Sequence, residues 1–580
     1  MKFMRLSDYV IQFLRDRYGV DTIFTVSGGG CIFLIDSLGT TEGVKYVATH
    51  HEQAAGIAAE GYARINNRLG ACVVTSGPGG TNAITGTLCS WLDSIPVIYI
   101  SGQVNKEMTT NYTNLPLRQL GDQEFNIVES VKNMTKYAVQ VNDASEIKYH
   151  LEKACKLATS GRPGPVWIDI PLNVQSSNIN PDELVGFDEE ITLPKPNEYD
   201  IQMILDKWRE SKKPLMIVGN GIRLSGDEAI QSLYNILSKT NIPVISAVNG
   251  NDIVNSDYEY YCGRFGTHAQ IGANNLLSEC DFLLTVGSRL YVRQTGYNFK
   301  GFAKQAFKIH IDVDENELNK PTLFSDLKIH SDAKYFLQKL VSQELPNTHT
   351  EWLNTCLEWA SSPTVLPKHR DKTKYVSHYN FIEKLSNQIT EDYDIVTSDG
   401  SANVVTMQVM KLSGKQRLIT NTGSAPMGYG LPAAIGASIN HNIICIEGDG
   451  SLHLNVHELQ TMKHYNLPIK LILLNNDGYT SIKISQKSFF NGRYVASEKN
   501  SGVSFPNFEK IIKAYDLPYF KIENNNLIDN VLSEFLSQTG PCVLEVFTDP
   551  NEYHEPKVIA SLDEKGNFIP GELKNIKWID

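Results

Sequence analysis

"GDGSLHLNVHELQTMKHYNLPIKLILLNND", residues 448–477, opens on an acidic turn between glycines and closes on an Asn pair. Between them a helical pattern leads through Pro468 into the β-rich run "IKLILLN" (469–475). A second β-rich run, "IICIEG" (443–448), precedes the turn. In such a strand–turn–helix–strand unit the right-handed crossover lays the two strands parallel in one sheet, often side by side. Neighbouring strands lie ~4.8 Å apart, so Asp449 and Asn476 meet at the carboxyl ends of the strands despite their separation in sequence. Open α/β sheets bind their ligands there. A carboxylate, an Asn carbonyl and a backbone carbonyl are hard oxygen donors suited to Mg²⁺ or Ca²⁺, and Mg²⁺ with open positions usually holds phosphates. A helix beginning after Ser451 would aim its N-terminus at the same point and favour an anion. The stretch reads as a metal–diphosphate clamp; the plainer alternative is that Asp449 only caps the helix.

Outward from this stretch, β-rich runs alternate with helical patterns along the chain, as in α/β domains with parallel sheets. They include "ACVVTS" (71–76), "PVIYIS" (96–101), "PVWIDI" (165–170), "PLMIVG" (214–219), "FLLTVG" (282–287), "FKIHID" (307–312), "DIVTSD" (394–399) and "CVLEVF" (542–547). Two polar, proline-bearing stretches, 173–200 and 345–374, interrupt the rhythm and read as linkers. The expected fold is therefore α/β with three consecutive doubly wound parallel-sheet domains, at 1–175, 195–345 and 370–550, and a C-terminal tail at 551–580. "CVVTSGPGGTNAITGTLCSWLDSIPVIYISGQ" (72–103) repeats the pattern of residues 444–477: strand, Gly-rich turn, helix, Pro, strand. Either two related halves share one ligand, or both simply follow the common pattern of doubly wound sheets.

The formal net charge of −12 and the lack of a dense basic run exclude a sequence-independent nucleic-acid binder. No apolar run approaches the ~20 residues that span a bilayer. Nine cysteines scattered without a CxxC pair suit reduced thiols, and the N-terminal 20 residues read as a charged amphipathic helix and not a signal peptide; the expected location is the cytoplasm.

The GDGS turn followed by Asn-Asn resembles the signature of thiamine diphosphate enzymes. "HEQAAGIAAEGYAR" (51–64), "TSGPGGTN" (75–82), "LDSIPVIYISGQV" (92–104), "RPGPVWIDIP" (162–171) and "MGYGLPAAIGA" (427–437) are similar to the acetolactate synthase (acetohydroxyacid synthase) group over nearly the whole chain. The resemblance implies a pyrimidine-binding first domain, a middle domain of FAD type and a diphosphate-binding third domain. It implies thiamine diphosphate and Mg²⁺ as cofactors. Glu52 would hydrogen-bond the pyrimidine ring, with Gly29 near the thiazolium and Gln123 in the active site. Asp449, Asn476 and the Gly478 carbonyl would bind the metal, and Met427 would wedge the cofactor into a bent shape. Ala425, Ser401, Ala402, Asn403, Gly450 and Ser451 would complete the cofactor site, although "TSDGSAN" (397–403) departs from the Gly-Gln-His character of relatives. "GRFGTHAQIGANNLLSECDFLLTVGSRL" (263–290) and "IHIDVDENELNK" (309–320) resemble the FAD-binding domain of the group, with a flavin-free structural domain as the alternative. In this family the two halves of the site come from different subunits, which implies a homodimer or homotetramer; sequence spacing alone leaves an intrachain site open.

Three positions depart from the group: Asp122 stands where Phe is usual, Leu172 for an active-site Lys, and Ser485 for a Trp that shapes the acceptor pocket. With His51 as a wall residue, they predict a larger, more polar and less cationic acceptor pocket. The expected activity is decarboxylation of a 2-keto acid donor, pyruvate, with transfer to a bulkier polar ketone such as a keto sugar. A plain 2-keto acid decarboxylase, acetolactate synthase proper and a non-catalytic thiamine diphosphate-binding regulator are the alternatives.

Overall fold

A computed structural model describes residues 3–113, 115–562, 564–565 and 567–579. Three six-stranded sheets, each wholly parallel, follow one another along the chain. The first runs, in spatial order, Lys45–Ala48, Thr22–Thr25, Gly70–Val74, Val97–Gln103, Val166–Pro171, Tyr137–Gln140. The third runs Leu418–Ile419, Tyr393–Thr397, Asn442–Gly448, Ile469–Asn475, Cys542–Phe547, Tyr519–Ile522. Numbered along the chain, both have the order 2-1-3-4-6-5, so the echo between the halves is a shared topology. The middle sheet runs Tyr261–Arg264, Val244–Ser246, Pro214–Val218, Phe282–Val286, Phe307–Asp312, Leu327–His330. Its order, 3-2-1-4-5-6, is that of dinucleotide-binding sheets.

Central strands such as Ile469–Leu474 are buried on both faces and read as unbroken apolar runs. Edge strands do not. Lys45–Ala48 buries only Val47, and its mixed composition hid it from the sequence reading. The stretch 345–374 is more than a spacer: it contains the helix Thr350–Ala360, which buries Trp352, Leu353 and Cys356. Trp352 Nε1 donates to the Pro214 carbonyl at 2.9 Å, tying this helix to the middle sheet. The tail likewise docks on the middle domain, where Val558 N–H donates to Thr267 O (2.9 Å) and Asn274 Nδ2 to Leu573 O (3.1 Å). All nine cysteines are free and buried. Among the described residues no helix is long and apolar enough to cross a membrane.

The first and third domains meet through the helices Glu52–Asn66 and Gly430–Ala437. A Cβ on Gly61 would lie 2.2 Å from Ala433 O, and one on Gly436 would lie 1.8 Å from Ala58 O, so only glycine permits this approach of backbones. Residue 58 lies against 436 and residue 61 against 433; the helices are therefore antiparallel. At 1.5 Å per residue, Glu52 lies roughly 18 Å along the axis from the level of Gly430.

Candidate active site

The register pairs Ile443 with Ile469 and Gly448 with Leu474, which brings Asp449 beside the Asn475–Asn476 end of the next strand. Asp449 Oδ2 accepts the backbone N–H groups of Asn476 (3.1 Å) and Gly478 (3.3 Å), and Oδ1 accepts that of Gly450 (2.7 Å). Burial pushes this carboxyl up to about 7, against the pull of those N–H groups. Asn476 Oδ1 is buried without a hydrogen-bond partner among the described residues. A buried carboxylate with no basic partner beside an orphaned carbonyl oxygen is the donor set of a hard cation. The fit to Mg²⁺ is therefore good. Among the described residues no cluster of three His, Cys, Asp or Glu could hold a metal, so phosphate oxygens would have to complete the shell.

Asp449, Asn476 and Gly478 line a cavity of ≈ 160 Å³ together with Ser401, Ala402, Met427, Gly450 and Ser451. The helix after the turn starts at Asp449, three residues before the start expected after Ser451. A ten-residue helix, Gly400–Val409, also begins on this cavity. Ser451 Oγ accepts the Gly428 N–H (2.7 Å) and shares a 2.5 Å hydrogen bond with Ser398 Oγ, fixing the turn that carries Met427. Glu447 holds the same turn from below: its Oε2 accepts Leu431 N–H at 2.7 Å. Thr480, which the sequence reading missed, also faces the cavity, and its Oγ1 is buried without a partner among the described residues. The signal was its place in "NNDGYT", four residues after Asn476 and two after Gly478.

Asn403 and Ala425 lie one cavity further on. That second cavity, ≈ 630 Å³, shares Asp399, Gly400 and Ser481 with the first and is also lined by Ser485, His268, Arg293, His554 and Lys557. Asn403 Nδ2 is spent on Thr420 Oγ1, and the residue does not line the first cavity. Ser401 Oγ and His554 Nε2 share a 2.8 Å hydrogen bond, with burial pushing the imidazole down to about 3 and keeping it neutral.

The first-domain residues gather at the carboxyl ends of the first sheet. Glu52 is the first residue of its helix, half-buried, and Oε2 accepts Asn82 Nδ2 at 2.9 Å. A Cβ on Gly79 would lie 3.6 Å from Glu52 Oε1 and 2.7 Å from Thr75, while Thr75 packs at 2.5 Å on the equivalent point of Gly28. Gln123, at φ +57°, presses its carbonyl to within 2.4 Å of the equivalent point of Gly77. Gly28 and Gly30 are thus consumed by packing, whereas a Cβ on Gly29 would meet nothing within 4 Å. Asp122 is exposed beside Gln123, and Leu172 opens the short helix Leu172–Gln175, whose Gln175 Nε2 donates to Gly30 O (2.7 Å). His51 caps the Glu52 helix, its Nδ1 accepting Gln53 N–H (3.1 Å), and its ring lies 6.1 Å from that of His457.

In the middle domain the crevice at the strand-order switch encloses ≈ 90 Å³. Its glycine loops pack on each other: a Cβ on Gly219 would lie 2.2 Å from Gly287 O. Past Pro163, Asn220, Leu224 and Asn249 the crevice adjoins a second cavity of ≈ 310 Å³, so it is the place where this domain could take a ligand.

Two related sheets thus present separate half-sites, one a cavity lined by buried oxygen donors and a helix start, the other a glycine-rich wall bearing the Glu52 carboxylate. The chain belongs to the thiamine pyrophosphate enzyme family. It matches the family's N-terminal TPP binding domain over residues 4–129, its central domain over 201–340 and its C-terminal TPP binding domain over 399–546. It is 32% identical to the acetolactate synthase isozyme 2 large subunit of Escherichia coli (strain K12), over 96% of this chain and 97% of that protein. It is 32% identical to the acetolactate synthase large subunit of Lactococcus lactis subsp. lactis (strain IL1403), over 96% and 94%. Acetolactate synthase 2, chloroplastic, of Nicotiana tabacum is also 32% identical, over 95% and 83%. The protein is a thiamine diphosphate-dependent enzyme of acetolactate synthase-like kind.

Proposed function

We propose that the protein decarboxylates pyruvate and transfers the remaining two-carbon unit to a ketone larger and more polar than a second pyruvate, such as a keto sugar. The observation that carries this reading is the ≈ 630 Å³ cavity abutting the cofactor cradle, with Ser485 on its wall. The reaction balances without a redox partner: CO₂ leaves, the acyl carbon bonds to the acceptor's carbonyl carbon, and the carbonyl oxygen takes up one proton. We divide the chain functionally at 1–175, 195–345 and 370–550, with the tail closing the large cavity.

Bound at the cradle, thiamine diphosphate would supply the carbon nucleophile and electron sink that side chains lack. Asp449, Asn476 Oδ1 and the Gly478 carbonyl would hold Mg²⁺ against the diphosphate, Thr480 Oγ1 and the Gly400–Val409 helix start would bind its oxygens, and Met427 would press on the rings. Glu52 would share a proton with a ring nitrogen, while Gly29 and Gln123 line the reacting face and exclude water. Because Glu52 lies at the far end of the paired helices from Met427, one chain does not close its own Glu52 on its own cradle. We infer a homodimer or a larger homo-oligomer in which each site takes Glu52 from the partner subunit. No step is assigned to flavin.

The second reading, acetolactate synthase proper, is favoured by the relatives' activity. The two part in one assay: protein with Mg²⁺, thiamine diphosphate and pyruvate, CO₂ release followed and products identified by mass spectrometry, with and without a panel of hydroxyketones. An added hydroxyketone is expected to accelerate CO₂ release and appear in the product. Acetolactate from pyruvate alone, with no gain from any larger ketone, would reject the proposed acceptor.

A further inference from the structure

The large cavity carries two cations that make no direct ion pair among the described residues. Arg293 and Lys557 both line it, and neither makes an ion pair or donates a side-chain hydrogen bond among the described residues. The Lys557 ammonium lies over the face of Tyr553, at 5.9 Å. Glu555 is held by Lys368 (2.9 Å) and His369 (3.2 Å). Asp399, the one acid lining the cavity among the described residues, attracts Arg293 across it without a direct ion pair, leaving the pair of cations in excess.

The two cations belong to different segments, yet backbone hydrogen bonds stitch those segments together. Thr267 N–H donates to Arg293 O (2.9 Å), and Val558 N–H donates to Thr267 O (2.9 Å). The tail therefore delivers Lys557 to the same wall as Arg293, with Thr267 and His268 between them. Above them Tyr297 and Phe568 meet edge to face, ring centroids 6.2 Å apart, as an exposed aromatic rim. One cation would suffice for the carboxylate of a 2-keto acid. Two on one wall, beside an aromatic rim, match a multiply charged oxyanion on a larger molecule.

Resting on the carboligase reading above, we propose that the acceptor ketone carries a phosphate or diphosphate group, clamped between Arg293 and Lys557. This reverses the expectation of a less cationic pocket: the Lys absent at Leu172 is offset by Lys557 from the tail. The chemistry is shared by a simple ketose phosphate and by a ketone linked to a nucleoside diphosphate.

The test is calorimetric titration of protein loaded with thiamine diphosphate and Mg²⁺, using dihydroxyacetone phosphate, dihydroxyacetone and uridine diphosphate. At least one phosphorylated probe is expected to bind about tenfold or more tightly than dihydroxyacetone. Lys557→Ala and Arg293→Ala should each weaken that probe by about tenfold without changing the affinity for dihydroxyacetone, and Lys557→Arg should retain binding. Preference for uridine diphosphate would mark a nucleotide-linked acceptor, and preference for dihydroxyacetone phosphate a simple ketose phosphate. Equal affinity for all three probes, no binding at millimolar concentration, or unchanged binding in both alanine variants would overturn the clamp. Since binding is read and not turnover, a protein that binds as expected but releases no CO₂ from pyruvate would refute the donor assignment alone.

Discussion

Glu52→Gln is expected to slow CO₂ release from pyruvate by about 10²–10⁴-fold, the usual contribution of a positioned acid–base group. The fold gives little reason for any other effect. The carboxylate accepts one hydrogen bond, from Asn82 Nδ2, and a Gln carbonyl can accept the same bond. The residue begins its helix, where the exchange removes only a modest favourable charge near the dipole. Cofactor affinity should change much less than turnover, because the diphosphate cradle lies in the third domain. The check is turnover at saturating cofactor alongside a fluorescence titration of cofactor binding. A loss below about tenfold would remove Glu52 from the chemistry.

The second large effect is expected at the cradle. Asp449→Asn should weaken Mg²⁺-dependent cofactor binding by more than about 100-fold, since even residues behind a metal ligand typically contribute 10–100-fold. The metal-free protein should respond much less. Burial raises the Asp449 carboxyl to about 7, so its ionisation opposes folding increasingly as pH rises from the unfolded value near 4, and fully above 7. Asn keeps only one of the two acceptor oxygens and sets its Nδ2 against a backbone N–H. Above pH 7 this cost and the relief of the buried charge oppose each other, so the metal-free variant should melt close to the parent while losing the rise in melting temperature that cofactor and Mg²⁺ confer. A variant that melts far lower without ligand, or still shows the full ligand-induced rise, would contradict the assignment.

Much of this was legible in the sequence because it rests on spacing and on the physics of parallel sheets. Asp449 and Asn476 had to meet once their strands were adjacent, and the register confirms it. The repeated strand–turn–helix pattern announced two related halves, which share one strand order. Glu52 was different: a Glu at a helix start has no chemical signature of its own, and only the family resemblance singled it out. The antiparallel helix pair that separates Glu52 from Met427 was hidden, because it depends on which glycine faces which carbonyl between residues some 375 positions apart. The stitch through Thr267 was hidden for the same reason, joining Arg293 to a tail with little periodicity. Asn403 shows the converse limit: it lies in the right loop, but its amide turns to Thr420.

The shared site is the claim on which the rest stands, and co-expression of two inactive chains tests it most directly. One chain carries Glu52→Gln with Asp449 intact, and the other carries Asp449→Asn with Glu52 intact. If each site is built from two chains, random assortment makes half the dimers mixed, each with one complete site, and about a quarter of parental turnover per chain should return. If Glu52 served the cradle of its own chain, every site would hold one defect, and turnover would stay at the level of the separate variants.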